Sequence, residues 1–184
     1  MSKSKKIGAI AVIVALCLGS NYALSSIPNF KVMDFLVFVS GIIFGSGVGA
    51  CTGMLVWIIY GLINPYGFVP QVWVATMLSE SIYGLAGGVL RRKIFLSSSS
   101  SGCFEINVIL GVIGFLLTLI YDVLTNIVYA ITFNIPIIAA IIMGAPFTLV
   151  HEISNSAIFA VCTVPLLNSL QKYMGGERID VIEK

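Results

Sequence analysis

The sequence predicts an all-α membrane protein, a bundle of six transmembrane helices with the N- and C-termini both cytoplasmic. Three observations carry that prediction. The 184 residues are 58% hydrophobic and only 10% charged, with a mean hydropathy of +1.04, the composition of a chain solvated by lipid rather than water. Clusters of Pro, Asn, Gly, Ser and charge cut the chain into six apolar runs, at about 6–24, 33–46, 48–63, 70–90, 105–133 and 137–170. Short cytoplasmic loops are enriched in Lys and Arg, and six spans that start inside place Lys3, Lys5, Lys6, Arg91, Arg92, Lys93, Lys172, Arg178 and Lys184 on that side. Of the ten basic residues only Lys31 falls outside. Five or seven spans would send either the Arg91–Lys93 cluster or the C-terminal tail across. One integral membrane domain over 1–184 accommodates all six runs.

The first run follows three lysines and is long enough to cross a bilayer. Because five more runs follow it, it reads as a retained helix and not as a secretory signal. Gly8, Ala11, Ala15 and Gly19 recur along one side of it at three- and four-residue spacing. No hydrophobic force joins helices in lipid, and small-residue faces are where two backbones approach; this stripe serves either a partner or packing within the bundle. The second run is short, and Gly45-Ser46-Gly47 joins it to the third as a tight turn or kink. The outer segments, 25–32, 64–71 and 134–136, hold most of the turn chemistry. In IPNFK at 27–31 and NPYGFVPQ at 64–71, the rings either anchor the interface or cap a site. Along the fourth run Trp73, Thr76, Glu80 and Tyr83 share a face, and SSSSSG at 97–102 beyond it has the composition of a flexible cytoplasmic linker. The fifth run carries YDVLTN, with Asp122, Asn126 and Tyr129 on one stripe. The sixth aligns Thr148, Glu152 and Asn155, with His151 one position round.

The three acids Glu80, Asp122 and Glu152 all fall within a few turns of the midplane. An acid at the bilayer centre costs about 2.5–3.5 kcal/mol, so three facing lipid would cost on the order of 10 kcal/mol. They must face one another, a polar partner or a water-filled cavity. Aromatic rings beside amides and carboxylates suit a pocket for a small heterocyclic solute, in which stacking supplies affinity and a few hydrogen bonds supply orientation. Trp73, Glu80, Asp122, Asn126, Tyr129, His151, Glu152 and Asn155 are the candidate binding residues. The same groups also suit interhelical hydrogen bonds, each worth roughly 0.6 kcal/mol. For Asp122 and Glu152 binding and cross-linking stay open, while Asn126 and Tyr129, nearer the outer mouth, favour binding.

Other chemistries find little support. HEISN at 151–155 begins like the zinc-protease HExxH, but Asn155 stands where the second histidine belongs and the chain has one His. Cys17, Cys51, Cys103 and Cys162 are scattered without a CxxC pair, so neither a metal nor a disulfide framework is expected. One histidine beside an acid on the same helix makes no triad, and an enzyme is not expected. No cofactor is called for, and a net charge of +2 explained by loop asymmetry carries no nucleic-acid signal. No GxxxxGK[ST] occurs, so nucleotide-driven transport would require a partner that binds ATP.

Four segments, LVFVSGIIFGSGVGACTGMLVWIIYGLINPYG at 36–67, GLAGGVLRR at 84–92, YDVLTNIVYA at 121–130 and GAPFTLVHEISNSAIFA at 144–160, resemble the substrate-binding S components of energy-coupling factor (ECF) transporters. These subunits of prokaryotic importers carry vitamins and related micronutrients, and the resemblance covers most of the chain. It implies six helices with cytoplasmic termini and solute capture from outside, in a pocket between helices 4 to 6 lidded by outer loops. Its implied partners are a transmembrane coupling protein and two ATPases, with the S component toppling in the bilayer as ATP is used. The family's AxxxA docking pattern matches Ala11 and Ala15, beside Gly19. A different reading is a stand-alone proton-coupled secondary transporter or channel that uses Asp122, Glu152 and His151 as a relay.

Overall fold

The computed structural model describes residues 3–65, 67–98 and 103–173. Six helices account for nearly all of them: α1 Lys3–Ala23, α2 Met33–Phe44, α3 Ser46–Leu62, α4 Pro70–Ser98, α5 Cys103–Phe133 and α6 Ile137–Tyr173. The all-helical, six-helix bundle expected from the hydropathy pattern is therefore present. Three helices contain apolar stretches of membrane-spanning length, Lys6–Ala23, Phe104–Phe133 and Ile137–Ser169, while α2 and α3 are shorter and apolar.

Helix α2 is the hub. At 12 residues it is about 18 Å long, too short for the roughly 30 Å hydrocarbon core, and nine of its residues are buried. Protein rather than lipid surrounds it: α1, α3, α4 and α6 all pack against it. The expected tight join to α3 is a single residue, Gly45, at φ +97°. Its N–H bonds the Gly41 carbonyl and its carbonyl accepts the Gly49 N–H, so one left-handed residue ends one helix and begins the next.

Glycine also sets how closely α2, α3 and α4 approach. A methyl added at Gly41 or Gly49 would overlap the Gly84 carbonyl, and one at Gly84 would overlap the Gly49 backbone. Gly87 lies likewise against the Phe38 carbonyl, and Gly53 against the backbone of Glu80. Small residues permit this contact, and dispersion between backbones holds it in lipid.

Two boundaries differ from expectation. Helix α4 runs to Ser98 instead of about 90, because Arg91, Arg92 and Lys93 are good helix formers that suit a helix C-terminal half. Ser97 and Ser98 of the serine run are thus helical, and its remaining residues lie outside those described. At 37 residues α6 is about 55 Å long, exceeds the bilayer core, and carries Pro146 and Pro165 inside it. Each proline removes a backbone donor and loosens one turn. The turn before α6 is made by Asn134 at φ +54° and by Pro136, whose carbonyl accepts the Ala140 N–H.

Hydrophobic residues divide as lipid solvation requires. Phe38, Ile42, Val56, Tyr83, Leu110, Phe159 and Leu167 form the interior. Leu116, Ile120, Ile131, Ile142, Met143, Ile153 and Val161 on α5 and α6 face outward. On α1 the buried side is Val14, Cys17 and Asn21, while Gly8, Ala11, Ala15 and Gly19 point away from the bundle; no atom lies within contact of the space beside Gly8 or Gly19.

Candidate functional site

Three adjoining cavities open at the bundle end remote from the N-terminus of α1 and the C-terminus of α6. The largest, about 250 Å³, lies between the 24–32 loop, α3, α5 and α6 and is walled by Trp57, Tyr121, Tyr129, Phe147, Asp122 and Asn126. A second, about 190 Å³, lies between the end of α3 and the start of α4 and includes Phe68, Trp73, Thr76 and Tyr129. The third, about 140 Å³, lies under the 24–32 loop and is the more polar, with Asn21, Asn29, Lys31, Tyr60 and Asn64 in its wall. Trp57 borders all three.

Trp57 is held from every side. Its indole N–H donates to Glu80 Oε2 at 3.2 Å, and its carbonyl accepts the Trp73 indole N–H at 2.8 Å. The Lys31 ammonium lies 5.5 Å from the Trp57 ring centroid and 5.0 Å from that of Tyr121, a cation over two electron-rich faces. Glu80 is thus buried against the tryptophan and outside the cavity walls, and Trp73 closes the second cavity by stacking on Gly61, where no side chain could fit.

Beneath the largest cavity runs a polar chain. Asp122, at its floor, lies within hydrogen-bonding distance of His151 Nδ1 at 3.1 Å, and His151 Nε2 meets Asp34 Oδ2 at 2.6 Å. Asn155 Nδ2 donates to the same Asp34 oxygen at 2.7 Å and lies 2.9 Å from Thr118 Oγ1, which accepts the Tyr83 hydroxyl at 2.9 Å. Two protons among the imidazole and its two flanking carboxyls satisfy both histidine contacts. The chain ties α2, α4, α5 and α6 together where none of its members touches lipid: Asp34, His151 and Asn155 are fully buried.

The candidate residues from the sequence therefore separate into groups. Asp122, Asn126 and Tyr129 line the largest cavity together, as their common stripe on α5 requires, and Trp73 joins Tyr129 in the second. His151 and Asn155 lie one layer deeper, in the polar chain. Glu152 is buried but lines none of the three cavities, and its Oε1 has no hydrogen-bond partner among the described residues.

Sequence reasoning passed over Asp34, Lys31, Trp57 and Tyr121. Asp34 stands second in an apolar run, where an acid ordinarily meets interfacial water, yet in a helix as enclosed as α2 it is interior. Lys31 had a usable signal, being the one basic residue that the expected topology sets apart from the others. Trp57 and Tyr121 sit in runs so apolar that a ring attracts no notice. Tyr121 lines the largest cavity, and its buried hydroxyl has no partner among the described residues; a buried polar group in that state is a candidate to meet a ligand atom.

Neither the curated proteins nor the solved structures contain a match to the chain. Among protein families it matches the ECF-type riboflavin transporter, S component, over residues 1–172. A match over nearly the whole length, to a family of membrane subunits and not of enzymes, agrees with the buried polar chain and the cavities at one end of a helical bundle: this chain belongs to the family of ECF-type riboflavin transporter S components.

Proposed function

We propose that the chain captures riboflavin or a closely related flavin from outside the cell, in the largest cavity, and delivers it through an ECF module of one transmembrane coupling protein and two ATPases. The observation that carries this reading is the make-up of that cavity. Trp57, Tyr121 and Tyr129 offer ring faces for a flat heteroaromatic, while Asp122, Asn126 and the unpaired Tyr121 hydroxyl offer hydrogen bonds to its edge. The bias of the basic residues supports cytoplasmic termini, and with that orientation the three cavities open outward. The exposed stripe of Ala11, Ala15 and Gly19 is the proposed docking face for the coupling protein.

The purified chain should quench riboflavin fluorescence at one flavin per chain, and Asn126→Leu should weaken binding by about 1–3 kcal/mol, the cost of leaving a buried polar partner unpaired. Absence of quenching by the wild type would overturn the reading. An unchanged Kd in the variant would return Asn126 to a purely structural role against Gly144, which it touches.

The run Asp122–His151–Asp34 is the observation that favours proton-coupled transport instead. Among the described residues it runs on from Asp34 through Asn155, Thr118 and Tyr83, and Asp34 also meets Glu80; this reading takes the whole set as a brace beneath the cavity.

A further inference from the structure

Glu80 stands outside the cavity walls, yet it touches both the polar chain and the ring that borders every cavity. It is fully enclosed on α4. Its Oε2 accepts the Trp57 indole N–H at 3.2 Å, and its carboxyl meets that of Asp34. Each of the two carboxyls keeps one buried oxygen without a donor among the described residues, Glu80 Oε1 and Asp34 Oδ1. Two carboxylates cannot sustain such a contact away from water, because both offer acceptors only and like charges repel at short range. A single proton between them supplies the missing donor.

The charges around the pair lead to the same place. Bearing on Glu80 are Lys31 from the loop before α2, Asp34 on α2, and a thiol and two phenols, Cys17 on α1, Tyr83 on α4 itself and Tyr121 on α5. Beyond Asp34, α6 brings His151 and α5 brings Asp122. With both ring nitrogens of His151 protonated, the imidazole, Asp34 and Asp122 together carry one negative charge, which the Lys31 ammonium offsets. Glu152, beside Asp122 and His151, adds a carboxyl and no cation. An ionised Glu80 would add a further negative charge with no cation left to match it, where water is excluded.

We propose that Glu80 holds a proton and is a positioning residue for solute capture: as a neutral acid it donates to Asp34 from one oxygen and accepts the Trp57 indole N–H with the other. The braced polar chain thereby fixes the ring that borders all three cavities. Neutrality is what lets one side chain do both. An ionised carboxylate could still hold the indole, but it would repel Asp34. This inference rests on the flavin reading above and adds to it the group that sets the Trp57 ring without lining the cavity.

The test uses the full chain in detergent, as wild type, Glu80→Gln and Glu80→Met. Glutamine reproduces a protonated glutamic acid, with an N–H donor for Asp34 and a carbonyl for the Trp57 indole, whereas methionine keeps the length and offers neither. By riboflavin quenching, Glu80→Gln should keep a Kd within about threefold of wild type, and Glu80→Met should bind about tenfold or more weakly. The infrared spectrum of flavin-free wild type minus that of Glu80→Gln should show the C=O band of a protonated carboxylic acid, a signature that packing alone does not produce. Glu80→Met binding as tightly as wild type overturns the positioning role. Glutamine as damaging as methionine, or absence of the acid band, overturns the proton, and the band decides this even where Glu80→Met fails to accumulate. If the wild type binds no flavin, flavin capture fails and positioning for it fails too, while the band still decides whether Glu80 carries a proton.

Discussion

At the scale of single residues, burial in lipid makes each polar group consequential. His151 is fully enclosed between Asp34 and Asp122, and its removal strands two carboxyls away from water. Breaking such a buried arrangement by deleting one partner costs about 3–5 kcal/mol. His151→Leu should therefore lower the thermal midpoint of the purified chain markedly, with His151→Gln intermediate because the amide retains a donor for one carboxyl; a midpoint equal to wild type for His151→Leu would remove the brace. Asp122, Asn126 and Tyr129 were legible as a set because the 3.6-residue repeat fixes which side chains of one helix share a face. Asp34 was not, because its importance comes from His151 and Asn155, more than 110 residues away.

At the scale of elements, glycine governs one interface and small residues leave another open. Helices α2, α3 and α4 meet through Gly41, Gly49 and Gly84 at backbone contact. Gly84→Leu forces α3 and α4 apart and displaces Glu80 one turn before it, together with the tryptophan that Glu80 holds. The expected outcome is loss of monodisperse protein on size exclusion, or, where the variant folds, weakened flavin quenching; normal behaviour in both would contradict the close approach. On α1 the small-residue face is turned outward, so Ala15→Trp adds bulk where the chain itself has no contact. It should leave flavin binding intact and abolish co-purification with the coupling protein, and unimpaired co-purification would dismiss this face as the docking surface. The stripe could be read in the sequence, but its outward direction could not, since small residues pack inside bundles as readily as between proteins.

At the scale of the whole molecule, the polar groups divide the bundle into a site end and a plain end. Asp122 lies 11 residues before the end of α5, about 17 Å along the helix, so the cavity floor is near mid-membrane while its mouth is under the 24–32 loop. That loop is fastened across the bundle by the Asn29 amide, which donates to the Phe147 carbonyl at 3.0 Å. On the proposed reading the pocket opens outward and the chain carries no nucleotide motif, so a partner completes transport. Vesicles containing the chain alone should bind flavin without accumulating it, whereas adding the coupling protein, both ATPases and ATP should give uptake that survives an uncoupler. Uptake by the chain alone that an uncoupler collapses would establish the proton-coupled alternative in its place.

Helix number, the bias of basic residues and the break at Gly45 were readable from the chain because each depends on residues close together in sequence: hydropathy over a window, charge within one loop, turn chemistry over three residues. Which polar groups meet is of another kind. A helix can present any face to its neighbours, and the choice is made by packing among segments far apart in the chain. Glycine contacts draw α2 into the centre, and that placement turns Asp34 from an apparent interface acid into the anchor of His151. It also turns Lys31 inward over Trp57 and Tyr121, and it leaves Glu152, on the same helix as His151, off the walls of the three cavities.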